Sequence, residues 1–406
     1  MGDMEVEKSE VKNKTVGEYM KLGIICTMIN GFGRRGYYNT QEIGLGRELE
    51  RQGHEVTIYK CVKKTGGESI ERVKLGNTLS ILYIPVSSFG AHGCLDTAVL
   101  STNLDAVLCF ADNQIFLPHI YRFCARHEIR MVPYIGRTHS SSGGVHGFAM
   151  NTLFHLGTLR WFRRGPAISK IEEVRQELLQ LGVKDVKVAP VGLDFSVMKS
   201  DFAAYDRAAL RREFGLLPED MVICTVGRMG PEKNPLDLVE IYQQVREQKP
   251  CKLLLVGEGT QSEDLKTKIA ASKWKSDIVL IDRIPNDQIW KVYATADYFV
   301  NLCRTEIFGM AILEAMYYGV SVAALAAPGP SVTLRDMPGH KLCSSYEEIR
   351  DWLLAEHPAQ EQLRESAART VQLYNWKPCA DIFLSMAVGG TNEHPGHHNI
   401  LSSSRA

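Results

Sequence analysis

The stretch DYFVNLCRTEIFGMAILEAMYYGVSVAAL, residues 297–325, holds one complete strand–loop–helix–strand unit. Its two ends, DYFVNL and VSVAAL, are short apolar runs that predict buried strands, and MAILEAMYYG between them predicts a helix. Two strands joined through a helix usually run parallel, because the helix carries the chain back to the end of the sheet at which the first strand began. The stretch therefore predicts a parallel sheet with helices on its faces.

The same alternation occurs twice, on either side of a weaker connector at residues 195–220. Before the connector the strand candidates are KLGIICTM, HEVTIYKCV, LSILYIPV, DAVLCF, IRMVPYIG, PAISK and VKVAPVGLD. After it they are MVICTVG, CKLLLVGEG, DIVLIDRI, DYFVNL and VSVAAL. The pattern predicts an α/β protein with two doubly wound Rossmann-like domains. The predicted boundaries are a flexible tail at 1–20, domains at 21–196 and 197–375, a last helix at 376–388 and a disordered tail at 389–406.

Composition excludes several classes of protein. The formal net charge is zero, which gives no reason to expect a nucleic-acid partner. No apolar run approaches the roughly 20 residues that span a bilayer. The ten cysteines are spread singly, without a C-x-x-C pair, which predicts free thiols in a reducing, cytoplasmic compartment and no structural zinc site.

A glycine-rich loop, GFGRRG at residues 31–36, follows the first predicted strand. Glycines there permit a tight turn and close approach of the backbone to an anion at the next helix N-terminus. The loop resembles a dinucleotide fingerprint, but the second strand ends in the basic run VTIYKCVKK where an acidic residue is expected. An NAD-dependent dehydrogenase is therefore disfavoured, and Gly33 is retained as a ligand-binding candidate.

The first strand of the second half leads into VGRMGPEKNPLDL, residues 226–238. Pro235 suits the first turn of a helix, and Asn234 is predicted as its N-cap. Arg228 and Lys233 then lie on one loop beside a helix N-terminus, which predicts a clamp for a diphosphate. The alternative is a solvated loop that happens to be basic. A further glycine turn, LLVGEGTQ at 254–261, is predicted at the same edge of the sheet.

Glu306 and Glu314 flank Phe308, Gly309 and Met310 in the opening stretch. A carboxylate accepts hydrogen bonds from two neighbouring hydroxyl groups, so carboxylates beside a phosphate site fit a ligand that joins phosphates to polyols, as a nucleotide sugar does. The alternative is that both glutamates face solvent.

Taken together, LGRELERQGHEVTIY, ISKIEEVRQELLQLGVKDVKVAPVGLD, VGRMGPEKN, VGEG and EIFGMAILEAM resemble the retaining glycosyltransferases of family 4 over most of residues 21–388. The resemblance implies the B-type glycosyltransferase fold, in which an acceptor-side first domain faces a nucleotide-sugar-binding second domain across a central cleft. It also implies that the last helix returns to the first domain.

The resemblance further assigns roles to residues. Glu306 contacts the transferred sugar, Glu314 contacts the ribose, and Arg228 and Lys233 hold the diphosphate as it departs. The amides of Phe308, Gly309 and Met310 hold sugar hydroxyls and phosphate. His139, in VPYIGRTHSSSGG, corresponds to a histidine near the sugar. The remaining donor-binding candidates are Gly33, Gly257, Glu258 and Ile284. The segment AAPGPS, 326–331, departs from the glycine–glycine–proline pattern of the family.

The function expected from this resemblance is metal-independent sugar transfer from a nucleoside-diphosphate sugar, with retention of configuration, to a saccharide, a lipid-linked glycan or a small molecule. No cofactor is expected, and no Asp-x-Asp pair suggests a metal site. Two alternatives stay open: a nucleotide-sugar epimerase, which needs no acceptor, and a binding protein with a decayed site.

The segment TLRWFRR, 158–164, has aromatic residues among arginines, as helices at membrane interfaces do. One interpretation is that this segment makes a weak peripheral contact with the inner face of a membrane. The alternative, which we favour at this stage, is an ordinary helix with its aromatic residues in the core and its arginines in water.

Overall fold

The computed structural model describes residues 17–29, 40–140, 144–199 and 205–388. Within these ranges the first half forms an eight-stranded sheet with the spatial order β10-β9-β8-β7-β1-β2-β4-β3, beside a short β5–β6 hairpin. The strands are β1 (Lys21–Cys26), β2 (Glu55–Lys63), β3 (Glu71–Lys74), β4 (Leu79–Val86), β5 (Ser88–Phe89), β6 (His92–Gly93), β7 (Ala106–Phe110), β8 (Arg130–Ile135), β9 (Ala167–Ser169) and β10 (Val186–Val188). The helices of this half are α1 (Gln41–Arg51), α2 (Leu117–Arg126), α3 (Gly144–Leu153), α4 (Leu159–Phe162) and α5 (Glu172–Gln180).

The second half forms a six-stranded parallel sheet, again counted within the described ranges, with the order β13-β12-β11-β14-β15-β16. Its strands are β11 (Val222–Val226), β12 (Lys252–Val256), β13 (Ile278–Ile281), β14 (Tyr298–Asn301), β15 (Ser321–Leu325) and β16 (Lys341–Cys343). Its helices are α6 (Arg207–Glu213), α7 (Pro235–Arg246), α8 (Ser262–Ala271), α9 (Trp290–Thr295), α10 (Met310–Tyr317), α11 (Pro328–Thr333), α12 (Tyr346–Leu354) and α13 (Gln360–Leu373). The strands are apolar and largely buried because helices cover both faces of the sheet.

The predicted α/β class with two parallel sheets is confirmed, and the differences lie at edges and helix ends. β3 was not predicted; it pairs antiparallel with β4 at the edge of the first sheet. α2 was also missed, and α1, whose sequence RGYYNTQEIGLGRELERQG predicts a helix over residues 35–53, begins at Gln41 within the described residues. The predicted tails fall almost wholly on residues 1–16 and 389–406, outside the described ranges.

The last helix, α14 (Lys377–Val388), lies against the first half of the chain. Leu193 N–H donates to the carbonyl oxygen of Tyr374 at 2.7 Å, and Gln52 Nε2 donates to Asp381 Oδ1 at 3.0 Å. A Cβ at Gly44 would meet the Trp376 ring at 2.3 Å, so this glycine lets α1 approach the returning chain closely. The helix is thus where the resemblance places it.

His340 joins β15 to α13 and provides a prediction on stability. Val322 N–H donates to His340 Nδ1 at 3.0 Å, and His340 Nε2 lies 2.8 Å from Ser366 Oγ. Burial lowers the pKa of His340 to about 3, so the ring is neutral in the folded protein. In the unfolded chain its pKa is about 6.5. The stabilising effect is therefore complete above pH 6.5 and is lost as the pH falls toward 3.

We expect the free energy of unfolding to fall by up to about 2 kcal/mol between pH 7 and pH 5 because of this histidine. His340→Asn keeps an acceptor for Val322 N–H but cannot titrate, so it should remove that part of the pH dependence. Urea denaturation of both proteins at the two pH values measures the difference. Equal losses in both proteins would contradict the assignment.

Candidate functional site

Lys233 and Glu306 meet at the point where the strand order of the second sheet reverses. From β11 the chain first builds outward through β12 and β13, and then crosses back to place β14 on the other side of β11. Ligands of doubly wound sheets bind at the carboxyl ends of the strands that flank such a reversal. Lys233 lies in the loop after β11 and Glu306 in the loop after β14, and Lys233 Nζ donates to Glu306 Oε2 at 2.5 Å.

The pair is partly enclosed, with the side chains of Lys233 and Glu306 30% and 17% exposed. Burial is the largest single influence on Lys233 and lowers its pKa, but Glu306, Cys303 and Glu232 together outweigh it, so the pKa of Lys233 is raised above its usual value. Lys233 is therefore a cation at neutral pH. Because an ammonium group has three N–H donors, its bond to Glu306 leaves donors for a phosphate.

The loop after Glu306 turns sharply into α10. Gly309 has φ +87°, a left-handed conformation that side chains rarely adopt, and α10 begins at the next residue, Met310. The first amides of a helix have no intrahelical acceptor, so the N–H groups of Gly309 and Met310 need partners from outside α10. Gly329 N–H donates to the carbonyl oxygen of Glu306 at 2.9 Å, and a Cβ at Gly329 would lie 2.6 Å from the Phe308 backbone. The glycine of AAPGPS thus holds this loop in place, with Phe308 buried beneath it.

Glu314 lies in the second turn of α10 and is 8% exposed, so it does not face solvent as the alternative interpretation required. The buried hydroxyl group of Tyr293, in α9, donates to Glu314 Oε2 at 2.7 Å. Burial and the neighbouring Glu314 carboxylate raise the pKa of Tyr293, which stays a neutral donor. Tyr293 therefore fixes the orientation of the carboxylate, and its own ring stacks on Tyr318 at 5.7 Å.

The loops after β11 and β12 lie side by side and are joined by backbone hydrogen bonding. Met229 N–H donates to the carbonyl oxygen of Glu258 at 3.1 Å, and Gly257 N–H donates to that of Ile281 at 2.9 Å. Gly257 has φ +140°, and a Cβ there would lie 1.7 Å from the carbonyl oxygen of Gly227, so a larger residue cannot occupy this position without moving the loop.

Charged side chains sit on these joined loops. Arg228 is 57% exposed and pairs with Glu232 at 3.1 Å. Glu258 pairs with Arg283, next to the partly buried Ile284. The structure therefore gathers the predicted donor-binding residues of the second half at one edge of its sheet.

Asn234 occupies the predicted N-cap position of α7, where its carbonyl oxygen accepts a hydrogen bond from Leu238 N–H at 3.2 Å. Its backbone is left-handed, with φ 50° and ψ 48°, and its side chain makes no capping hydrogen bond. Instead Asn234 Nδ2 donates to the carbonyl oxygen of Leu302 at 2.9 Å. Asn234 therefore connects the loop that carries Lys233 to the loop that carries Glu306.

The first half contributes a group of residues that the sequence analysis missed. Lys170, after β9, donates to Asp112 Oδ2 at 2.7 Å, and Asp112, after β7, also accepts the N–H of Gly136, after β8. A Cβ at Gly136 would lie 3.1 Å from Ile307, the residue that follows Glu306. Asp112 could have been recognised as a candidate, because the polar run ADNQ directly follows the predicted strand DAVLCF.

The same loop carries His139. Arg137 Nη2 donates to the carbonyl oxygen of Thr305 at 3.2 Å, which joins the first domain to the loop of Glu306. His139 is exposed two residues later. Gly33 lies outside the described residues. Within the described ranges, no three His, Cys, Asp or Glu side chains cluster as metal ligands would.

The aromatic residues of TLRWFRR point inward, as the second interpretation of that segment required. Phe162 is buried, and Trp161 stacks on Tyr121 with 5.7 Å between ring centroids. Arg160, Arg163 and Arg164 remain exposed. In the described part of the chain, no helix is both long enough and apolar enough to span a bilayer.

Residues 206–369 match the family described as glycosyl transferases group 1, which confirms the resemblance found in the sequence. A D-inositol 3-phosphate glycosyltransferase from Segniliparus rotundus is 29% identical over 211 residues, covering 49% of this chain and 46% of the relative. Its counterpart from Nocardia farcinica is 30% identical over 191 residues, covering 45% and 41%. The matched part of the chain thus spans less than half the length of these two relatives.

An alpha-monoglucosyldiacylglycerol synthase from Streptococcus pneumoniae is 23% identical over 299 residues, covering 70% of this chain and 66% of the relative. Among solved structures, sucrose-phosphate synthase from Thermosynechococcus elongatus superposes with a TM-score of 0.66 at 14% identity, covering 89% of this chain and 96% of that one. Anabaena HepE in complex with UDP and glucose has a TM-score of 0.66 at 14% identity, covering 90% and 98%. These similarities establish the two-domain B-type glycosyltransferase fold.

Proposed function

Starting from the membership of residues 206–369 in the glycosyl transferases group 1 family, we propose that this protein transfers a sugar from a nucleoside-diphosphate sugar to an acceptor hydroxyl group. The observation that carries the proposal is the contact between Lys233 and Glu306 at the strand-order reversal. A cation for phosphate and a carboxylate for sugar hydroxyls lie side by side, as a ligand that joins a diphosphate to a sugar requires.

The proposed placement of the donor follows the order of these groups. The diphosphate binds Lys233 and Arg228 and the N-terminus of α10, and the ribose binds Glu314, whose carboxylate Tyr293 orients. The transferred sugar binds Glu306 and reaches toward the loop of Arg137 and His139, where the acceptor enters from the first domain. Gly33, Gly257, Glu258 and Ile284 complete the donor site in this proposal.

The proposed reaction retains the configuration at the anomeric carbon. The bond between this carbon and the diphosphate oxygen breaks, and a bond to the acceptor oxygen forms on the same face. The acceptor proton passes to the departing phosphate oxygen. Lys233 and Arg228 stabilise the negative charge that develops on the diphosphate, a role that fixed cations in a partly enclosed site perform well. Two such cations let the reaction proceed without a metal.

The compartment is part of the same proposal. Nine of the ten cysteines are buried, and all ten are unpaired thiols. This pattern is typical of proteins in a reducing compartment and supports a cytoplasmic location.

A panel of nucleotide sugars tests the proposal. We expect one nucleoside-diphosphate sugar, and its nucleoside diphosphate, to raise the melting temperature, because a ligand at 100 times its Kd stabilises a protein by about 2.7 kcal/mol. Incubation of that donor with candidate saccharide and lipid-linked acceptors should yield product with retained configuration, in the presence or absence of EDTA.

Two results would overturn the proposal. Conversion of the donor sugar to its epimer without any acceptor would identify an epimerase. The absence of stabilisation by every nucleoside diphosphate would identify a decayed site.

A further inference from the structure

The segment 144–162 forms a helical arm whose two sides are both apolar. α3 continues through a π-helical turn, Phe154–Thr158, into α4. The inward side packs into the first domain, with Met150, Phe154, Leu159 and Phe162 at most 1% exposed. A helix that is apolar all round is normally buried all round. The exposure of apolar side chains on the outward side of this arm is therefore unusual.

The outward side carries a continuous apolar stripe. Val145, Phe148, Leu153 and Leu156 are 87%, 75%, 51% and 73% exposed, and Ala149 is exposed between them. Isolated exposed apolar residues are common on protein surfaces, but a contiguous group of them indicates a surface that binds a membrane or another protein. The stripe lies on residues that the proposed transfer reaction does not use.

The charges around the stripe indicate what covers it. Exposed Arg160, Arg163 and Arg164 follow the stripe directly, and no aspartate or glutamate occurs between Glu128 and Glu172. A helix surface with exposed Phe and Leu side chains beside a group of arginines is the arrangement by which helices lie in the interface of an anionic bilayer. The same arm of a second copy of this chain would offer these arginines no carboxylate, because residues 129–171 contain neither aspartate nor glutamate.

We propose that this stripe, together with Arg160, Arg163 and Arg164, binds the surface of a membrane that contains anionic lipids. The apolar side chains enter the boundary between headgroups and acyl chains, and the arginines contact lipid phosphates. The inward side of the same arm stays packed in the first domain, so the protein lies on the membrane without spanning it. This surface differs from the contact considered for TLRWFRR, because Trp161 and Phe162 pack inside the protein.

Co-sedimentation with vesicles tests the proposal. The wild-type protein should sediment with phosphatidylglycerol vesicles and much less with phosphatidylcholine vesicles. Raising the salt concentration from about 0.1 M to about 1 M shortens the Debye length from about 10 Å to about 3 Å and should weaken the binding. Phe148→Ser with Leu156→Ser should lower the affinity on the order of tenfold or more, since two exposed apolar groups no longer enter the bilayer. Arg160→Gln and Arg164→Gln should each lower it about fivefold.

The matched control is Leu217→Ser with Leu373→Ser, at side chains that are 54% and 53% exposed on the second half of the chain. All variants should keep the wild-type melting temperature, because the changed side chains are exposed. Failure of the wild-type protein to bind anionic vesicles, or equal losses in the stripe and control variants, would overturn the proposal. A wild-type dimer that Phe148→Ser with Leu156→Ser converts to a monomer would overturn it in favour of a second copy as the partner.

Discussion

Lys233→Ala is expected to slow sugar transfer by roughly 10²–10³, because it removes a fixed cation that we propose stabilises charge on the departing diphosphate. Arg228→Ala is expected to slow sugar transfer by a similar factor for the same reason. Steady-state rates with the donor identified in the thermal screen measure both effects. Lys266→Ala is the matched control, because Lys266 lies on α8 and forms an exposed ion pair with Glu263. Near-normal rates in the Lys233 and Arg228 variants would show that the diphosphate binds elsewhere.

The contact between Lys233 and Glu306 allows a sharper test of the same prediction. Residues that share one network have effects that do not multiply, whereas independent residues have effects that do. We expect Lys233→Ala combined with Glu306→Gln to be less impaired than the product of the two single losses. A strictly multiplicative result would mean that the 2.5 Å contact between Lys233 Nζ and Glu306 Oε2 plays no part in the reaction.

The second large effect separates the two glutamates. Glu306→Gln should reduce the transfer rate by roughly 10²–10³ while leaving the affinity for the nucleoside diphosphate unchanged or slightly higher. The product nucleotide lacks the sugar that Glu306 is proposed to bind. Loss of the carboxylate also frees an N–H donor of Lys233 for phosphate.

Glu314→Gln, in contrast, should weaken the binding of the nucleoside diphosphate itself. The ribose is present in the free nucleotide, so the loss of a charge-assisted hydrogen bond should weaken its binding by about 1–3 kcal/mol, or about 5- to 150-fold. Calorimetry with the nucleoside diphosphate, beside transfer rates, measures both effects. Glu240→Gln, at an exposed residue of α7, is the control. If Glu306→Gln loses as much nucleotide affinity as Glu314→Gln, the proposed division between sugar and ribose is wrong.

Local patterns were sufficient to predict most of the elements. The strand LSILYIPV occupies residues 79–86 in the structure, as its predominantly apolar composition predicted. β3 was missed because three of its four residues, ERVK, are charged and exposed, as suits an edge strand, and only Val73 packs against the core. Asn234 was correctly placed at the N-cap of α7, but its side-chain partner was not predictable, because the carbonyl group of Leu302 comes from a loop that is distant along the chain.

The positions of the candidate residues were predictable in the second half of the chain and not in the first. Arg228, Lys233, Glu306 and Glu314 stand in motifs whose spacing along the chain carries the signal. Asp112 and Lys170 are 58 residues apart and follow different strands, so no local pattern joins them. Their contact depends on the sheet order, in which β7, β8 and β9 are neighbours.

The sequence by itself determined the alternation of strands and helices, the two-domain class and the residue types at the loops after the strands, because these depend on interactions between residues close along the chain. Only the tertiary structure decided which loops meet. Lys233 and Glu306, 73 residues apart, touch because β14 crosses back to pair with β11. It also decided which side of the arm at 144–162 is covered. Both sides are apolar, so periodicity alone carries no information about the side that faces the protein core.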